Sequence, residues 1–201
     1  MDWDWNHDCF LAHGQVYWTE FGLVDPGQLM EELPDLAGLP WCPYLNEEGQ
    51  IDVALEGKAG VYGIFDREQN LVYVGISRDI ALALQQHLVR VPDRCYWYKV
   101  WTIDRLDRDF LLTIQKAWQG DRSFDRERWE KPIDCREWMT AEEKARLEGA
   151  QDEKEINRLL KDVARRVEEE IKQTLAERGV KFAIRFNPKR KEEGLLDLKV
   201  W

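Results

Sequence analysis

Two short runs of strand-forming residues, Ala59–Asp66 (AGVYGIFD) and Leu71–Ile76 (LVYVGI), flank the polar tetrapeptide Arg67-Glu68-Gln69-Asn70. Val, Ile, Phe and Tyr suit a pleated, half-buried surface, and a short polar break between two such runs joins antiparallel neighbours. The pair therefore reads as a β-hairpin, and the segments after it must pack against that hairpin. Arg78–Val89 puts Ile80, Leu84, His87 and Leu88 on one side at helical spacing, which predicts a helix. Tyr96–Ile103 (YWYKVWTI) predicts a third strand. Asp107–Gln119 predicts a second helix, with Leu111, Ile114 and Trp118 in register and Gly120 as its stop. The expected fold class is α+β, with the order β-β-α-β-α and a small antiparallel sheet flanked by helices over residues 58–120.

Beyond that unit, residues 121–140 lack periodicity and read as loop. Thr140 with Glu143 fits a capping box and opens an expected long charged helix to Arg178, stopped by Gly179. Ile156, Leu160, Val163, Val167, Ile171 and Leu175 form one apolar stripe along it. Such a stripe lies either on the protein's own core, the expectation here, or in the seam of a coiled-coil dimer. Phe182, Ile184 and Phe186 alternate, as do Leu196, Leu198 and Val200, around Asn187–Gly194. Residues 141–201 are thus expected to form the long C-terminal helix and a terminal β-hairpin.

Charge sets residues 1–57 apart. They hold twelve acids and no Lys or Arg; of the chain's 39 acids 27 remain, against 29 bases, so the whole excess of −10 lies here. Acidic surface repels nucleic acid, and the segment reads as a solvated acidic face or, more sharply, as a docking surface for a basic partner or an internal cover over a basic groove. Trp3, Trp5, Phe10, Tyr17, Trp18 and Phe21 favour burial, so this lead-in is expected to pack on the core. Asp25-Pro26 marks a helix start, the helix running through Gln28–Glu32 and stopping before Pro34. His7 and His13 have no spacing that suggests metal, and read as structural. No apolar run approaches the roughly 18 residues of a membrane span. The start MDWDWNHDCF has neither a positive region nor an apolar one, so no secretory signal is expected. Cys9, Cys42, Cys95 and Cys135 are widely spaced and form no CxxC, so reduced thiols and a cytoplasmic location are expected.

Gly60-Val61-Tyr62 and Tyr73-Val74-Gly75, on adjacent expected strands, resemble the two tripeptides that name the GIY-YIG nuclease superfamily. More narrowly, Ala59–Pro92 is similar to the N-terminal GIY-YIG domain of plant chloroplast monothiol glutaredoxins through its GVYG, VGISR and HL…VP elements. Cys95 falls where that group carries a cysteine, although no CGFS or CxxC glutaredoxin site occurs in the chain. That likeness implies a cyanobacterial or plastid lineage.

Phosphodiester cleavage needs a base for water, cations for the charge on phosphorus and a metal near the leaving oxygen. The resemblance implies that Tyr62 and Tyr73 flank the phosphate, with His87 as helper and Mg²⁺ or Mn²⁺ as cofactor. The family's helix arginine falls on Ala83, and its metal-holding glutamate near Ile114 or Gln115. Neither position is matched, and an amide or alkyl group is a poor Mg²⁺ ligand. Arg78 is the substitute cation, and Asp107, Asp109 or Asp121 the substitute acids. Two functions are expected from this pattern. The first is a weak or inactive nuclease-fold protein that binds or regulates through its acidic N-terminal region or its long helix. The alternative is an active metal-dependent endonuclease on DNA.

Overall fold

The structure, a computed structural model, describes residues 33–199. The helix expected at residues 25–32, the aromatic cluster before it and Val200 lie outside the described residues. Strands β1 (Cys42–Pro43), β2 (Ala59–Phe65), β3 (Leu71–Ser77) and β4 (Trp97–Ile103) form an antiparallel sheet in the order β1-β4-β2-β3. Helices α1 (Ile80–Arg90) and α2 (Arg108–Gln119) complete the expected order.

The hairpin closes as its polar break predicts. Asp66 Oδ1 accepts from the Asn70 N–H at 2.8 Å, and the Gln69 N–H donates to the Asp66 carbonyl at 3.1 Å. Gln69 takes φ 63°, the left-handed conformation such loops use beside a bulge, and the register slips between Ile64 and Phe65. Helix α1 starts two residues later than its spacing suggests. Ser77 Oγ accepts from the Asp79 N–H at 3.0 Å and donates to the Asp79 carbonyl at 2.7 Å, which holds the chain in a local turn first. Asp107 caps α2 by accepting from the Phe110 N–H at 3.0 Å, and Gly120 ends it.

The chain divides into two compact units. Among the described residues, the first comprises residues 33–44, Val53–Ala81 and Arg94–Phe124; the second comprises Leu45–Asp52, Leu82–Asp93 and residues 125–199. Helix α1 runs from one into the other.

In the first unit, Val61 and Val74 on one sheet face meet Leu111, Ile114 and Trp118 of α2. Each such side chain contributes roughly 1.5–3 kcal/mol when buried. Leu36 and Leu39 pack against the same cluster. Trp118 Nε1 donates to the Pro34 carbonyl at 2.6 Å. The buried Lys99 ammonium donates to the carbonyls of Leu36 (3.1 Å) and Ala37 (3.0 Å) and lies 4.3 Å from the centre of the Trp41 ring. Burial pushes the Lys99 pKa below the ordinary lysine value, with Asp35 opposing the shift.

In the second unit, residues 125–138 are not loop. Asp125 caps α3 (Arg126–Glu130); β5 (Ile133–Asp134) and a 3-10 turn (Cys135–Trp138) come next. A five-residue helix is too short for any periodicity to show in sequence. The Thr140–Glu143 capping box forms, but it opens only α4 (Ala141–Gly149). Asp152, accepting from the Glu155 N–H at 2.7 Å, caps a separate helix, α5 (Glu153–Glu177). The expected single helix is therefore two, because Gly149 and a second cap residue interrupt it.

The α5 stripe lies on its own unit's core. Leu160, Val163, Val167, Ile171 and Leu175 are buried, and α5 packs on the 3-10 turn, α4, α6 (Pro188–Glu192) and β6 (Leu195–Leu196). Arg166 joins α5 to Glu143 of α4 at 2.7 Å and to the Trp138 carbonyl at 2.8 Å. The terminal hairpin is present: Phe186 bridges Leu198, and the Lys199 N–H donates to the Arg185 carbonyl at 2.8 Å. Helix α6 occupies its turn, and β6 pairs with β5.

Cys95 and Cys135 are free and buried, as expected of reduced thiols. Cys42 is disulfide-bonded, which corrects the expectation for that residue; wide spacing along a chain does not report distance in the fold. Among the described residues no helix is long and apolar enough to cross a membrane.

Candidate functional site

Side chains alternate along a strand, and directly opposed residues share a face. Tyr62 lies opposite Gly75, and Tyr73 is two residues before Gly75 on β3, so both tyrosines project from one face. Their ring centroids are 6.4 Å apart. This face is the reverse of the one on which Val61, Val74 and α2 form their cluster. Both tyrosines are buried, at 2% and 4% exposure, and Tyr73 also lies 6.2 Å from the Phe124 ring.

The glycines of the two tripeptides have a steric cause. A Cβ on Gly75 would fall 2.5 Å from the Tyr62 hydroxyl oxygen and 2.7 Å from Tyr73 Cε1. A Cβ on Gly60 would fall 2.1 Å from the Trp101 carbonyl oxygen. The hairpin can hold both tyrosines over one point only because that point has no side chain.

His87 and the tyrosines fall in different units. Within its own unit His87 is buried, its ring centroid 5.5 Å from that of Trp129. Its Nδ1 lies 3.1 Å from the Trp129 carbonyl oxygen. That oxygen can only accept, so Nδ1 carries the hydrogen. Arg90 Nη1 donates to the same carbonyl at 2.9 Å, and Arg90 Nη2 reaches Asp197 at 3.0 Å. Burial first, and the Arg90 charge second, lower the imidazole pKa to about 3, against a small opposing effect of the Trp129 carbonyl. At neutral pH this imidazole is uncharged and offers no cation to a phosphate.

Arg78 has a different setting. With Ile76, Ser77, Leu106, Arg108 and Leu111 it lines a cavity of about 250 Å³. Ile76 and Leu111 belong to the helix-covered face, so this cavity opens on the side of the sheet away from the tyrosines.

The positions where the resemblance asks for an arginine and a glutamate are spent otherwise. Ala83 sits half-buried on α1. Ile114 is fully buried in the α2 cluster, and Gln115 Nε2 donates to the Val74 carbonyl at 2.9 Å. Asp107, one of the substitute acids, caps α2 with its carboxylate. Among the described residues no group of three or more His, Cys, Asp or Glu is placed to hold a metal ion.

Two residues that sequence reasoning passed over stand out. Arg108 meets Arg78 at the cavity only once β3 and α2 are packed, and no motif announces it. Lys99 does carry a signal, as a lone charge inside the apolar run YWYKVWTI.

No family model matches the chain. The chain is similar to a chloroplastic bifunctional monothiol glutaredoxin of Arabidopsis thaliana, at 35% identity over 65 residues. The aligned stretch covers 32% of this chain and 22% of the plant protein, so the chain spans about a fifth of that relative's length.

Proposed function

We propose that residues 58–120 form a GIY-YIG-type core that serves as a scaffold for binding or regulation, with weak or no phosphodiester cleavage. One observation carries this reading: Gln115 spends its amide on the Val74 carbonyl while Ile114 fills the core, so α2 presents no carboxylate there for Mg²⁺ or Mn²⁺. The neutral His87 and the alanine at position 83 support it, since each leaves a phosphate without a cation. Losing one such cation costs on the order of a hundredfold in rate. The similarity to part of a plant glutaredoxin supports a core of the kind those proteins resemble. Twelve acids without a base in residues 1–57 make DNA affinity weak. A protein partner would use that acidic region or the charged face of α5, whose apolar stripe is already buried. The cytoplasm is the compartment proposed with it.

The pairing of Tyr62 with Tyr73 on one face favours a second reading, an active metal-dependent endonuclease. Supercoiled plasmid incubated with the protein and Mg²⁺ or Mn²⁺ separates the two. The scaffold reading expects little nicking by the wild type and a gain in the Ala83→Arg/Gln115→Glu variant. Robust wild-type nicking that Tyr73→Phe abolishes would overturn it.

A further inference from the structure

The cavity between the end of β3 and the start of α2 has no part in a scaffold role for the core, and it stands apart from the tyrosine face. Its walls are of two kinds. Ile76, Leu106 and Leu111 supply apolar surface, and Leu106 is 48% exposed although it is a large hydrophobic residue. Arg78 and Arg108 supply two guanidinium groups, and neither makes an ion pair or side-chain hydrogen bond with another described residue. Other arginines of the chain, Arg90, Arg126, Arg128, Arg136, Arg165, Arg166 and Arg190, meet carboxylates. The nearest acids in sequence do not neutralise the pair. Asp107 is turned to the Phe110 N–H as the α2 cap, and neither Asp79 nor Asp109 lines the cavity.

Two like charges facing one hollow repel each other, and an oxyanion placed between them removes that repulsion while accepting planar, charge-assisted hydrogen bonds from both. An exposed leucine beside them gains from apolar cover. At about 250 Å³ the hollow lies just below the usual range for drug-sized ligands, which sets the scale at a small metabolite.

We propose that this cavity binds a small organic oxyanion, a phosphate monoester or carboxylate bearing a short apolar body, with Arg78 and Arg108 holding the anion and Ile76, Leu106 and Leu111 the body. A benzene ring with one phosphate has both parts, so phenyl phosphate is the probe, with benzoate, phenol and inorganic phosphate separating the contributions. Binding is read by amide chemical shifts of the full chain at low salt. Phenyl phosphate or benzoate should move the signals of Ser77, Arg78, Arg108 and Leu111 with saturable, millimolar affinity, and whichever binds tighter identifies the anion. Phenol and inorganic phosphate should bind more weakly than either. Arg78→Gln and Arg108→Gln should each weaken binding about tenfold. Arg105→Gln, an exposed arginine that does not line the cavity, should leave it unchanged. Both tested arginines are exposed, so melting temperatures should stay put and exclude a folding defect. Absence of saturable shifts at these residues overturns the proposal, as does equal binding by phenol or undiminished binding in the double variant. Tighter binding of a single-stranded oligonucleotide at the same residues would reassign the cavity to backbone phosphate and overturn the small-molecule assignment.

Discussion

His87 offers the sharpest quantitative test, because burial has tied its protonation to folding. Its pKa is about 3 in the folded protein and about 6.5 in an unfolded chain. The folded value is the lower one, so between those limits the unfolded state binds the extra proton and stability falls as pH falls. The His87 contribution is complete above about pH 6.5 and is lost progressively as pH drops toward the folded value. Each pH unit inside the window is worth about 1.4 kcal/mol, so moving from pH 7 to pH 5 removes roughly 2 kcal/mol. Carboxylates barely titrate in that interval, their unfolded pKa values being about 4. The charged neighbours, Arg90 and Asp197, are paired with each other. The comparison variant is His87→Asn, whose amide can place a donor where Nδ1–H now meets the Trp129 carbonyl but cannot take up a proton. Urea denaturation at both pH values, at 25 °C, gives the stabilities directly. Wild type should lose about 2 kcal/mol more than His87→Asn on going to pH 5, even though the variant starts less stable for want of the ring contact with Trp129. Parallel losses in the two proteins would refute the claim that His87 is held neutral by burial.

Two further perturbations probe how the sheet holds its parts. Gly75→Ala should cost about 1–3 kcal/mol by overpacking, since the new methyl would meet Tyr62 and Tyr73 at under 3 Å. Adding Tyr62→Leu should recover part of that loss in a double-mutant cycle, and strict additivity would argue against the contact. Lys99→Met keeps the stem but leaves the Leu36 and Ala37 carbonyls without their donor, which should cost about 1–3 kcal/mol. It should also speed proteolysis between Pro34 and Tyr44, and unchanged cleavage there would show that the ammonium does not hold that segment.

How far the fold could be read from sequence depended on how local each signal was. The β2–β3 hairpin and the two helices after it were legible because alternation, helical spacing and caps such as Asp107 act over a few residues. The break between α4 and α5 was equally local, written in Gly149 and Asp152, but the run of good helix formers around it masked the interruption. What could not be read was anything that needs distant segments to meet. The pairing of β5 with β6 joins Ile133–Asp134 to Leu195–Leu196, and neither strand is longer than two residues. The Arg78–Arg108 cavity belongs to the same class, as does the carbonyl that Gln115 satisfies.

The candidate site shows a subtler limit, because its most legible residues carry two roles at once. Tyr62 and Tyr73 were found through the tripeptides that contain them, and those tripeptides suggest chemistry. Yet the structure gives each letter a mechanical reason to be there. Gly60 lets the Trp101 carbonyl approach β2, Gly75 makes room for two rings, and the rings themselves are buried side by side. Replacing any of them would disturb packing whether or not a phosphate is ever cleaved, by an amount comparable to the few kcal/mol on which a domain's stability rests. Ala83 and Gln115 are under no such constraint from the motif, since a half-buried helix position and an amide donor can be filled in several ways. A sequence of this kind can therefore hold the tyrosines and glycines that the sheet needs without the arginine and the carboxylate that cleavage needs. The tripeptides report the hairpin, and the chemistry has to be judged from the positions that the hairpin does not require.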